Sequence, residues 1–80
     1  MAKVVLPDNF VAVTQSEREL DIQVENYRDL VKHLKSEWPQ LDELLDKTAV
    51  AIDGQIFQDA FLEPIGPDSE VFFMARIEGG

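Results

Sequence analysis

The feature that most constrains this chain is a change of hydrophobic period near its middle. From Glu19 to Glu25 the residues alternate, with Leu20, Ile22 and Val24 on one side and Glu19, Asp21, Gln23 and Glu25 on the other. A half-buried strand requires that pattern. From "VENYRDLVKHLKSEW" onward, Leu30, Val31, Leu34 and Trp38 recur at helical spacing, which predicts a helix of about twelve residues, roughly 18 Å long. An apolar strand face and an apolar helix stripe must be buried against each other, so the chain is α+β.

Local signals set the other elements. Lys3 to Leu6 is short and β-branched, and Pro7-Asp8-Asn9 ends it, so it reads as a first strand. "FVAVT", Phe10 to Thr14, is too short to classify and either extends a strand or forms a turn of helix. "TQSER" is polar enough for an exposed connection. Asn26 is placed to cap the helix, with Asp29 three positions on near the positive end of its dipole, and Pro39 stops it. Leu41, Leu44 and Leu45 predict a second, short helical segment over an edge of the core. "TAVAIDGQIF" sets Asp53-Gly54 between two β-prone runs, a strong sign of a hairpin with a type I′ turn. "EPIGPDSE" is a loop and "VFFMARI" a closing strand.

The resulting order is strand, strand, helix, strand, short strand, strand. One helix on a mixed sheet of four to five strands, with the first and last strands parallel in the centre, is a β-grasp arrangement. The body is expected over residues 1–76, with 77–80 as a flexible tail.

Chemistry carried by side chains is scarce. The chain has 80 residues, no cysteine and a single histidine, His33, which rules out thiolate nucleophiles and zinc–sulfur sites. Its carboxylates spread over solvated faces, and it has no calcium-loop pattern, phosphate loop or nucleophile elbow. Sixteen Asp and Glu against seven Lys and Arg give a net charge of −9, which opposes approach to nucleic acid or anionic lipid and suits a basic docking surface on another protein. With no apolar run of signal-peptide or membrane-spanning length, the expected location is cytoplasmic.

Alternation in the last strand puts Val71, Phe73 and Ala75 on one face and Phe72, Met74 and Arg76 on the other. One helix covers only one face. Either "FLEPI" or the second helical segment folds over the other, or Phe72 and Met74 form an exposed patch of the kind that binds proteins. Beyond Arg76, Ile77-Glu78-Gly79-Gly80 extends to about 13 Å, enough to enter a partner's active site. Glycines without Cβ thread a narrow channel, and an α-carboxylate is ionised at neutral pH, hence a competent oxygen nucleophile.

The stretch "AIDGQIF…EPIGPDSEVFFMARIEGG" resembles the C-terminal half of the MoaD/ThiS family of sulfur-carrier proteins, which are ubiquitin-like β-grasp domains. The residues that carry the resemblance are Ile52-Asp53-Gly54, Pro64-Ile65, Asp68, Glu70-Val71 and the run Ile77 to Gly80. MoaD-like members commonly have a proline pair before the tail, where this chain has Ala75-Arg76.

The resemblance implies a carrier rather than an enzyme. A MoeB/ThiF-like activating enzyme would use ATP and magnesium to adenylate Gly80, and a sulfur donor would convert it to a thiocarboxylate. A larger, MoaE-like synthase subunit would then take the sulfur for molybdopterin. No cofactor would be held by this chain. Gly79 would give access, and Phe72, Met74, Arg76, Ile77 and Glu78 would dock. Carriage for thiamine or another thiolated metabolite, or ubiquitin-like protein modification, uses the same chemistry. A β-grasp interaction module that is never conjugated is the reading from a different class.

Overall fold

The computed structural model describes residues 1–76. The expected tail, and with it Ile77, Glu78, Gly79 and Gly80, lies outside the described residues. Five strands and three helices follow in the order β1 (Ala2–Val5), α1 (Asp8–Thr14), β2 (Glu19–Ile22), α2 (Tyr27–Glu37), α3 (Leu41–Asp46), β3 (Thr48–Ile52), β4 (Gln55–Phe57) and β5 (Glu70–Ala75). The strands form one sheet in the order β2-β1-β5-β3-β4. The central pair β1 and β5 is parallel, and the other neighbours are antiparallel. This is the expected α+β, ubiquitin-like β-grasp arrangement.

The core lies between one face of the sheet and the helices. Val4, Val71, Phe73, Val50 and Ile52 from the strands meet Leu30 and Leu34 of α2, Leu41 and Leu45 of α3, and Phe10 of α1. Phe10 stacks obliquely on Phe73 with ring centroids 5.2 Å apart. The helix cap is as expected: the Asn26 side-chain oxygen accepts from the Asp29 N–H at 2.8 Å. The helix stops at Glu37, and Trp38 before Pro39 leaves helical geometry.

Two elements differ from the sequence reading. The ambiguous "FVAVT" belongs to helix α1, a third helix that the predicted order lacks. Its β-branched residues disfavour helix locally, but Pro7 presets the entry and its carbonyl accepts the N–H groups of Phe10 and Val11 at 3.0 and 3.1 Å. Folding this turn as helix delivers the fully buried Phe10 to the core. The second difference is that β2 stops at Ile22 although alternation continues to Glu25. The register with β1 ends at the Ala2–Ile22 pair, and among the described residues no strand lies beside Val24. The backbone there pairs instead with the later loop, through Ile65 N–H to the Glu25 carbonyl at 3.0 Å.

Asp53 and Gly54 both have positive φ, 50° and 83°, and Ile52 pairs with Gln55 across the two-residue turn, as a type I′ hairpin requires. The Asp53 side chain does a second job. It accepts from the Ser69 hydroxyl at 2.8 Å and the Glu70 N–H at 2.9 Å, while the Asp53 N–H donates to the Glu70 carbonyl at 2.9 Å. The hairpin turn is thereby tied to the entry of β5.

Two outcomes follow. Phe10→Ala empties the centre of the core and is expected to cost about 3–5 kcal/mol, against a total of roughly 4–12 kcal/mol for a chain of this length, as urea unfolding will show. The N–H of Glu70, and next the Ser69 hydroxyl, hold the Asp53 carboxyl below the usual carboxylate range. Its stabilising contribution is therefore fully present above about pH 3.9 and lost as pH falls through the lowered folded value. Asp53→Asn should lower stability near neutral pH, and the gap to the parent should close on acidification. A gap that stays constant would remove the carboxylate from this role.

Candidate functional site

The sheet face away from the helices is where the structure leaves large apolar groups in water. Register places them: Val5 pairs with Phe72, Phe72 with Ala51, and Ala51 with Ile56. Paired residues share a face, so Val5, Phe72, Ala51 and Ile56 form one row across four strands, spanning about 14 Å at ordinary strand spacing. Phe72 is 42% exposed and Ile56 54%, and Val5 is half-buried. Met74, opposite Ala49, extends the row and is half-buried. The alanines of β3 are small enough to be shielded by these neighbours, which is why all five β3 residues count as buried.

The choice left open by the sequence is thereby settled. Neither "FLEPI" nor α3 covers this face: Ile65 and Ala60 enter the helix-side core, as do Leu41 and Leu45. The patch has a charged border, because Glu19 pairs with Val5, and Lys3 with both Asp21 and Glu70. Lys3 reaches Glu19 at 3.8 Å, an exposed pair of little energetic weight. Apolar centre and mainly acidic border together fit a partner surface with an apolar pocket ringed by basic residues.

Arg76 does not continue the alternation of Phe72 and Met74. The strand ends at Ala75, and the Arg76 guanidinium turns to the helix side, donating to the Gln58 carbonyl at 2.9 Å and to Asp59 Oδ1 at 2.8 Å. It borders a groove with Tyr27 of α2 and Thr48 of β3. A free arginine at the end of a strand would follow the pleat; here a carboxylate and a carbonyl beside β4 hold it on the other side. Of the expected docking residues, Phe72 and Met74 share the outer face, Arg76 stands apart, and Ile77, Glu78, Gly79 and Gly80 fall outside the described residues.

Val5 and Ile56 were missed by the sequence reading. Ile56 is the apolar centre of "QIF", and its alternation was visible, but nothing local says that it lies in register with Phe72 through Ala51. Asp59 was also missed, because its pairing with Arg76 spans the β4–β5 connection. His33 is exposed on α2. Among the described residues, no three or more His, Asp or Glu side chains gather in metal-binding range, and no helix is long and apolar enough to cross a membrane.

No protein-family model matches the chain, and no curated protein is significantly similar to it in sequence. Among solved structures that share its fold are two small archaeal modifier proteins. The solution structure of small archaeal modifier protein 1 from Methanosarcina acetivorans superposes with a TM-score of 0.80 at 17% identity, covering 99% of this chain and 95% of that one. The crystal structure of the protein of that name from Haloferax volcanii gives 0.70 at 19% identity, covering 99% and 98%. Likeness at these identities is one of fold.

Tyr27 reports on the Arg76 groove. Its phenol is pushed up to about 12, chiefly by burial and further by Asp59, with Arg76 acting in the opposite direction. The neutral phenol is favoured in the folded state, so this contribution is complete below about pH 10 and lost as pH rises through the folded value. Tyr27 is the only tyrosine, which makes near-ultraviolet titration unambiguous. Phenolate absorbance is expected around pH 10 in the urea-unfolded chain and around 12 in the folded one; coincident curves would place Tyr27 in water.

Proposed function

We propose that this chain is a ubiquitin-like carrier whose C-terminal Gly80 is the reactive group and whose outer sheet face docks it on partner enzymes. The observation that carries the reading is the position of β5. It lies in the centre of a β-grasp sheet, displays Phe72 outward, and is followed within five residues by Gly79-Gly80. The likeness to two solved modifier proteins supports it, as does the resemblance of residues 52–80 to the MoaD/ThiS pattern.

The chemistry is main-chain chemistry. A carboxylate oxygen of Gly80 attacks the α-phosphorus of ATP on a MoeB/ThiF-like activating enzyme, and pyrophosphate leaves with magnesium. The acyl adenylate is then open to a nucleophile at its carbonyl carbon, with AMP as the leaving group. Attack by a sulfide equivalent leaves a thiocarboxylate, the form that would deliver sulfur through a MoaE-like subunit for molybdopterin. Attack by a lysine amine leaves an amide-linked conjugate. The second outcome is favoured by the names of the two similar structures, both modifier proteins. In either case the acid, base and metal chemistry belongs to the partners. This chain contributes the acyl group, a glycine pair that fits a narrow channel, and an apolar docking row.

Intact mass after incubation with such an activating enzyme, ATP, magnesium and a sulfide source tests the proposal. The expected product has one terminal oxygen replaced by sulfur, and deletion of Gly80 abolishes it with the fold retained. Phe72→Asp should reduce kcat/KM for activation by about tenfold or more, as loss of a central apolar anchor does, without altering Gly80 itself. A chain that never forms an adenylate with any such enzyme, or a Phe72→Asp variant activated as fast as the parent, would defeat the corresponding half of the reading.

A further inference from the structure

The helix side of the molecule carries a concave surface, separate from the outer sheet row. It is an open groove of about 580 Å³ between α2 and the segment that follows β4. Its walls differ in character. Along α2, Arg28 and Lys32 stand one turn apart, both exposed. Among the described residues, Lys3, Arg18, Lys35 and Arg76 each pair with a carboxylate. Of the seven Lys and Arg, that leaves Arg28, Lys32 and Lys47 without an ion pair there. Two of these three line the same groove, which also holds the Asp46 carboxylate and the Arg76–Asp59 pair, so that cations exceed carboxylates there in a chain whose net charge is −9.

The opposite lip is apolar and held in place. Phe61 is 74% exposed and Leu62 62%. Phe61 adopts φ +50°, uncommon for a bulky residue. The turn around it is closed by the Glu63 N–H on the Ala60 carbonyl at 2.8 Å and braced on α2 by the Tyr27 N–H on the Glu63 carbonyl at 3.0 Å. Val31 and Leu45 lie between the lips. The groove is also where Gln58 Oε1 and Arg76 Nε sit, two buried side-chain atoms, one acceptor and one donor, that lack hydrogen-bond partners among the described residues.

We propose that this groove docks an extended acidic segment of a partner protein, with a large apolar side chain seated between Val31 and Leu62 and carboxylates against Arg28 and Lys32. Charge decides the chemistry of the occupant. A nucleic acid or an anionic membrane is charged throughout and meets the repulsion of the whole chain, whereas a peptide with one apolar anchor and a few carboxylates matches two cations beside an apolar lip. Size agrees: from Arg28 to Lys35 the helix wall runs about 10 Å, which three or four extended residues span. This surface does not depend on the carrier role.

The test is an amide-resolved titration of the full-length, isotope-labelled chain with the blocked hexapeptide Asp-Glu-Leu-Phe-Asp-Glu and its neutral counterpart Asn-Gln-Leu-Phe-Asn-Gln. Saturable shifts at Arg28, Val31, Lys32 and Leu62, with Kd below about 1 mM and binding of the neutral peptide about tenfold weaker or worse, are the expected result. The exposed double substitution Arg28→Glu with Lys32→Glu, and separately Leu62→Asp, should each weaken binding by a similar factor, while Phe72→Asp leaves it unchanged. No saturable shift, shifts centred on Phe72 and Ile56, or equal binding of both peptides would overturn the proposal. So would binding that appears only after deletion of residues 77–80, which would assign the groove to the chain's own tail, or self-association through the same residues. Neither ATP nor an activating enzyme is present, so the outcome is independent of whether Gly80 can be activated.

Discussion

Everything in this structure depends on the parallel pairing of β1 with β5, the first and last strands, in the middle of the sheet. Val4 and Val71 pair directly and are fully buried, so neither strand is stable without the other and without the helices above them. Parallel neighbours need a crossover, and here it contains all the intervening elements. The loop-closure cost of that long connection is offset by apolar burial from each element it contains. Phe10, Leu30, Leu34, Leu41 and Ile65 all return to the same inner face. A chain of this size has little apolar surface to spare, which explains why even the short, β-branched α1 is recruited to the core.

The same pairing separates the two faces of β5. Val71 and Phe73 are taken up by the core, and Phe72 and Met74 are turned to the opposite side. Because β5 is central, its outward residues have neighbours on both flanks, and a single phenylalanine becomes the middle of a row from Val5 to Ile56. An edge strand could not have assembled that row. Asp53 contributes at a distance: by bonding Ser69 and Glu70 it joins the β3–β4 turn to the start of β5, so Ile56 and Phe72 belong to mechanically connected elements. The outer face and β5 are therefore one unit.

The Arg76 seat shows why long-range polar contacts escape sequence reasoning. Alternation assigns a side chain to a face only while the strand continues, and the strand ends one residue earlier. From there a charged side chain goes where its partner is, and Asp59 lies seventeen positions back. Nothing in the residues around Arg76 announces Asp59 as its acceptor. The groove on α2 has the same origin: Arg28 and Lys32 are plainly on one helical face, but the apolar lip opposite them comes from a loop whose path no periodicity describes.

Local physics was legible in the residues themselves. Positive φ at Asp53-Gly54, the Asn26 cap, the stop at Pro39 and the shift from two-residue to helical spacing each depend on neighbours within a few positions, and together they restrict the fold to a helix on a mixed sheet. Tertiary structure alone decided three things: that "FVAVT" coils into α1, that β2 ends at Ile22 where its pairing with β1 ends, and which outward side chains share a row. These are outcomes of competition for partners far apart in the chain. Burial of Phe10 outweighs the β preference of its neighbours, and an alternating pattern remains a strand only where another backbone lies beside it.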